Sequence, residues 1–355
     1  MTGSTGGAAV AGRAAPAAGI VALLAAAAAF PLVFTNATVT NFGVVTLIFV
    51  AVASAWNLFS GYSGYLSLGH AVFFGTGAYV TGVAARDWQL AGNGVFGLLP
   101  LAAAAAAVLA VPLGLVGLRV RRHTFVVITI AYFFIAQLAA SNLAVTGGSS
   151  GLLAPVPGYA AATFNNPFYY VALVLAAGTV ALSWAVRRSA LGLQLRAIRD
   201  DEDRAAGLGV RVTAVKLTAF TVSALITGAA GGLWFYFLGQ AYPQFAFDPL
   251  FDLAVVLMAF FGGLGTVAGP VLGALVLEPA QLYLTLQFTN GYLSEILLGL
   301  LLLVVLRFLP RGVLPAGAEL LTRARARPRR AAAARPRAPA GGAPADRAPA
   351  SGGGP

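Results

Sequence analysis

The side chains that could carry catalysis are few in this sequence and poorly placed for it. His70 and His123 are the only histidines, they stand in different segments, and there is no cysteine, so nothing has the spacing of a metal site or a thiolate nucleophile. No paired carboxylates sit at helical spacing within an apolar run, as general acid–base chemistry on a helix face would need. The one lysine, Lys216, lies in Ala-Val-Lys-Leu, whereas a phosphate-binding P-loop needs a glycine-rich turn ending in Lys followed by Ser or Thr. The chain cannot hold ATP by that route, binds no cofactor that its residues announce, and is not expected to be an enzyme.

The remaining polar residues suggest passage and docking. Glu278, with Asp252 and Glu295 nearer the ends of their runs, is a carboxylate inside apolar sequence, where charge is costly and usually functional; a hydrogen-bonded residue facing a bundle interior is the competing reading. The segment Gly61–His70 reads GYSGYLSLGH and brings glycines, hydroxyls and a histidine into the membrane together. Polar or irregular backbone is tolerated at that depth only where it is buried in protein or lines a cavity. This marks Gly61, Ser63, Gly64, Ser67, Gly69 and His70, with Gly77 beyond, as candidates for the wall of a solute path. A packed histidine is an equal reading of His70. Gly265, Gly269 and Gly273 recur every fourth residue, as do Ala224, Gly228 and Gly232, and such smooth stripes let helices approach closely in lipid.

Between Ser189 and Val210 the chain reads SALGLQLRAIRDDEDRAAGLGV, with four of its eleven acidic residues at Asp200, Asp201, Glu202 and Asp203. The pattern predicts a helix stopped by Gly207 and Gly209. Leu193, Leu195, Ile198 and Leu208 alternate with the charges, which suits docking onto another protein better than a solvated loop.

The elements that position these residues follow from composition. Of 355 residues 59% are hydrophobic and 9% charged, against about 45–50% and about 25% in a soluble domain. A chain of this kind has lipid as its solvent. A spanning helix needs roughly 20 apolar residues, and such runs fall near 17–34, 41–60, 66–84, 95–118, 124–143, 167–186, 217–239, 248–262, 267–288 and 292–309. The N-terminal run resembles a signal peptide but reads as a retained first helix. Ten crossings with both termini in the cytoplasm place 21 of the 22 Lys and Arg on the cytoplasmic side, Arg86 alone being outside, as the positive-inside rule requires. The net charge of +11 is then anchoring charge facing anionic lipid headgroups, and nucleic acid is not an expected partner. The expected organisation is all-α: an N-terminal extension (1–16), a polytopic helical bundle (17–313) with a cytoplasmic loop at 187–216, and a disordered basic tail (314–355) rich in Ala, Pro and Arg.

Four runs resemble one known family: GYSGYLSLGHAVFFGTGAYV (61–80), TGGSSGL (146–152), LGLQLRAIRDDEDRAAGLGV (191–210) and FFGGLGTVAGPVLGAL (260–275), with FLPRGV (308–313) resembling its ending. These look like the permeases of branched-chain amino acid ABC importers, of the LivM type, and the likeness runs in order from about Gly43 to Val313. It implies an ABC-importer permease fold in the bacterial inner membrane, a second permease subunit of the same family, two ABC ATPases that use ATP and Mg, and an extracytoplasmic solute-binding protein. It also implies that 191–210 is a coupling helix seated in the ATPase. Leu193, Arg196, Ile198, Arg199, Asp200, Asp201, Glu202, Asp203, Gly207 and Gly209 would then serve that contact. The 61–70 segment and the glycines at 262–273, Gly262 and Gly263 included, would lie near the path between the two permeases, those glycines and Gly228 and Gly232 as packing residues, and TGGSSGL would face the binding protein. The family commonly has a proline followed by an acidic residue after GPVLGA, whereas here the order is Glu278-Pro279, so no role transfers to Glu278. Relatives carrying urea or short amides share these motifs, and an ATP-independent carrier is the alternative from another class.

Overall fold

The computed structural model of the protein describes residues 19, 22–160, 163–287, 291–308 and 312–316. The expected N-terminal extension and all but the first residues of the basic tail lie outside the described residues. The elements below belong to the unit Met1–Pro315.

Twelve apolar residues, Ala22–Val33, form α1. Asn36 then accepts a hydrogen bond from the Thr38 amide and starts α2, Ala37–Trp56, which continues through a π-turn, Asn57–Gly61. There follow α3, His70–Asp87, α4, Leu99–Gly117, α5, Arg122–Asn142, and α6, Asn165–Arg188. Two short helices come next, α7, Ala190–Asp200, and α8, Glu202–Gly207. The chain re-enters the bundle as α9, Val212–Leu238, turns through α10, Pro243–Ala246, and closes with α11, Pro249–Gly262, α12, Ala268–Gln287, and α13, Gly291–Phe308. Strands β1, Leu152–Leu153, and β2, Gln240–Ala241, pair antiparallel. Among the described residues seven helices are long and apolar enough to cross a membrane. The shorter or more polar α1 and α3, and α13, occupy the places of the other three expected spans.

The centre of the bundle is α2, buried at most positions from Val44 to Gly61 and packed against α6, α9, α11 and α12. On the periphery Val127, Ile135, Leu138 and Val174 of α5 and α6 point outward, as side chains facing lipid do. Backbone-to-backbone approach holds the interior. A Cβ on Gly77 of α3 would run into the Gly228 carbonyl of α9, and one on Gly231 into that of Phe74; α11 and α12 meet likewise at Gly262 against Gly269 and at Gly273 against Met258.

Two expectations about element boundaries are corrected. The third span was expected from residue 66, but residues 64–69 are non-helical, with a bend at Leu68, and the helix begins at His70, where the buried Asp252 carboxylate of α11 accepts from the Ala71 amide at 3.1 and 3.3 Å. A carboxylate at a helix N-terminus satisfies free amides and opposes the helix dipole. The single helix expected over 189–207 is two, because Asp201 leaves helical geometry (φ −156°, ψ 108°) and its side chain accepts from the Arg204 amide to cap α8.

Two of the basic clusters, Arg119–Arg122 and the 187–216 segment, meet at one end of the bundle. Arg122 donates to the carbonyls of Ile198 and Arg199, and Lys216 donates to that of Leu118. At the far end of α5, Arg86 donates to the Val145 carbonyl.

Candidate functional site

At the basic end, Ser189 caps α7 by accepting from the Gly192 amide. The amphipathic spacing then divides α7 and α8 into two faces. Leu195, Ile198 and Ala205 are buried against a cluster containing Tyr62, Tyr65 and Phe125. Leu193 and Leu208 are 64% and 85% exposed, and Arg196, Asp200, Asp203, Gly207 and Gly209 are exposed with them. Of the residues expected to form an ATPase contact, these face outward, while Ile198, Arg199 and Glu202 turn toward the bundle.

The inward pair makes charge-assisted hydrogen bonds. Arg199 Nη1 donates to the Gly61 carbonyl at 2.8 Å. Its stem lies against Gly64, where a Cβ would approach Arg199 Cγ to 3.0 Å and where φ is +73°, a backbone conformation that favours glycine. Glu202 accepts from Lys216 Nζ at 2.8 Å and from the Tyr65 hydroxyl at 2.5 Å. Lys216 keeps only 2% of its side chain exposed and sits 4.1 Å from the centre of the Tyr65 ring, a cation–π geometry. Burial alone would raise the Glu202 carboxyl, but hydrogen bonds from Lys216 and Tyr65 and the charges of Lys216 and Arg122 outweigh it and hold the group below its ordinary value. A cavity of about 280 Å³ opens beside these contacts, lined by Trp56, Ser60, Gly64, Leu66, Arg122 and Arg199 among others.

From Gly61 the chain turns back into the bundle. Trp56 Nε1 donates to the Ser67 carbonyl at 2.8 Å, the Ser67 amide to Ser60 Oγ at 3.3 Å and the Leu68 amide to Thr129 Oγ1 at 3.1 Å. Ser63 Oγ donates to the Phe59 carbonyl, and the backbone of Gly69 packs on that of Thr129. His70 is fully buried, with Nε2 at 2.8 Å from Ser223 Oγ and Nδ1 at 3.0 Å from Ser67 Oγ. Because the Ser223 hydroxyl gives its proton to the Ala55 carbonyl at 2.7 Å, His70 Nε2 must donate and Nδ1 accept. Both ring nitrogens are therefore satisfied by the protein. Ser63, Ser67 and His70 are enclosed in the single chain, and Gly77 serves the α3–α9 contact.

Several residues at this site escaped the sequence reading. Asn57 joins the end of α2 to the turn before α12, its Oδ1 accepting from the Gly265 amide at 2.7 Å and its Nδ2 donating to the Thr266 carbonyl at 2.9 Å. An asparagine inside an apolar run was the available signal. Tyr65 and Lys216 were visible as residue types, but their meeting with Glu202 spans 137 and 14 positions. Gly265 and Gly263 adopt positive φ in the turn between α11 and α12, so they shape that turn. Glu278 is 4% exposed and its Oε2 has no hydrogen-bond partner. Among the described residues no group of His, Asp and Glu could hold a metal ion. At the opposite end, 146–152 is a glycine turn with positive φ at Gly147, Gly148 and Gly151.

Comparison with known proteins matches residues 38–306 to the family described as branched-chain amino acid transport system / permease component. The chain is 31% identical to the high-affinity branched-chain amino acid transport system permease protein LivM of Escherichia coli (strain K12), over 83% of this chain and 74% of that protein. It is 30% identical to LivM of Salmonella typhimurium over the same shares. With the permease protein LivH of Salmonella typhimurium it shares 29% identity over 38% of this chain and 43% of LivH. No solved structure matches the chain significantly.

Proposed function

Because the chain belongs to the family of branched-chain amino acid transport system permease components, we propose that its exposed α7–α8 face is where an ATPase drives the transport of that solute class. The protein is a multi-pass permease subunit of the bacterial inner membrane and forms the transmembrane path of an ABC importer for branched-chain amino acids. Separate ATPase subunits supply the energy, with ATP and Mg bound there. Likeness to both LivM and LivH supports a second permease subunit completing the path. A solute-binding protein delivers the cargo at the end carrying 146–152.

The observation that carries the docking assignment is the pair of exposed leucines, Leu193 and Leu208, set among the exposed charges Arg196, Asp200 and Asp203. Large apolar side chains beside charge form the centre and rim of a protein interface. Asp201 is better left intact because it caps α8. The test is co-purification of the ATPase with a Leu193→Asp, Asp200→Arg variant. The ATPase should be lost while the chain stays in the membrane fraction, and wild-type retention of the ATPase would refute the assignment.

A further inference from the structure

We propose that Glu202, Lys216 and Tyr65, together with Arg199, are positioning residues that transmit movement of the docking helices to the 61–70 segment. This rests on the importer reading above and assigns these residues to the bundle side of the docking element.

Apolar packing of Leu195, Ile198 and Ala205 attaches α7 and α8 to the bundle, but such contact is non-directional. Charge-assisted hydrogen bonds fix direction as well as distance. Two of them reach one segment: Arg199 holds Gly61 at its start, and Glu202 holds Tyr65 in its middle. Lys216 is buried beneath Glu202 and is tied in turn to the Leu118 carbonyl beyond the end of α4. The segment is itself stiffly held further in, through Ser67 to Trp56, through His70 to Ser223 on α9, and through the α3 N-terminus to Asp252 on α11. A shift of α7–α8 therefore pulls on a chain of hydrogen bonds that ends at the starts of α3 and α11 and inside α9. Stability alone does not call for a buried ion pair, since apolar residues of the same volume often serve as well or better. Directional linkage is what the charges add.

The test uses the complete importer in proteoliposomes, with uptake of a branched-chain amino acid and ATP hydrolysis measured on the same preparation. Glu202→Gln and Tyr65→Phe should both retain the ATPases. Solute moved per ATP hydrolysed should fall about tenfold in Glu202→Gln, within the usual range of coupling between sites, and by a smaller factor in Tyr65→Phe. A purely structural role would lower uptake and hydrolysis together and leave their ratio unchanged, which would overturn the proposal. Loss of the ATPase from a folded Glu202→Gln chain would also overturn it, by making Glu202 a docking contact. Should Glu202→Gln not fold, Tyr65→Phe keeps the ion pair and decides the matter by the same ratio. Failure of the wild-type chain to retain any ATPase would instead sink the importer reading.

Discussion

Lys216 and Glu202 are unequal partners, with 2% and 29% of their side chains exposed. Removing Glu202 strands an ammonium group in the interior, whereas removing Lys216 leaves a carboxylate that water can reach. Glu202→Ala should cost about 3 kcal/mol, near the low end for breaking a buried pair from one side, and Lys216→Met about 1 kcal/mol. Thermal unfolding of the two variants in detergent would check the order. The pH dependence has a definite sign. Glu202 is held below its ordinary 4.5, so its stabilisation is complete above that value and is lost only as pH falls through the lowered one. Between about pH 6 and 8 it takes up no proton. The pH profiles of uptake for wild type and Glu202→Gln should run parallel across that window, and a profile that bends in wild type alone would contradict this. The acidic cluster was legible in the sequence, but the division between outward Asp200 and Asp203 and inward Glu202 was not. Helical periodicity shows which residues share a face and leaves open which face meets the bundle.

Glycine separates the elements that are locked from those that are free. A Cβ on Gly231 would meet the Phe74 backbone, while nothing lies within 4 Å of one on Gly178 in α6. Gly231→Ala should therefore destabilise by about 1–3 kcal/mol through forced separation of α3 and α9. Gly178→Ala should stabilise by roughly 0.5–1 kcal/mol, because alanine restricts the unfolded chain without strain in a helix. Melting temperatures of the two variants moving the same way would refute the contrast. In the fourfold series Gly265, Gly269 and Gly273, a Cβ on Gly269 would meet the Gly263 carbonyl and one on Gly273 the Met258 carbonyl of α11. Gly265 instead shapes the turn. Gly77 looked like part of a polar path from its neighbours in sequence, yet its partner is the Gly228 carbonyl 151 positions away.

The whole bundle makes a prediction about sidedness. With no native cysteine, single replacements report cleanly. Leu193→Cys should react with an impermeant maleimide only from the cytoplasmic face, and Val156→Cys, 85% exposed near the opposite end, only from outside. Labelling of both from one side would overturn the orientation.

By itself the sequence determined the solvent, the positions of the long apolar helices and the family. Hydrocarbon thickness sets the length of an apolar run, lipid leaves little place for charge, and both constraints act residue by residue along the chain. Only the tertiary structure decided how the polar residues are used. Asp252 turned out to start α3, His70 to be satisfied by two serines, and Lys216 to hold Glu202 beneath the docking helices. Buried hydrogen-bonding groups must find partners wherever the fold brings them, and those partners lie on other helices, 153 positions apart for His70 and Ser223.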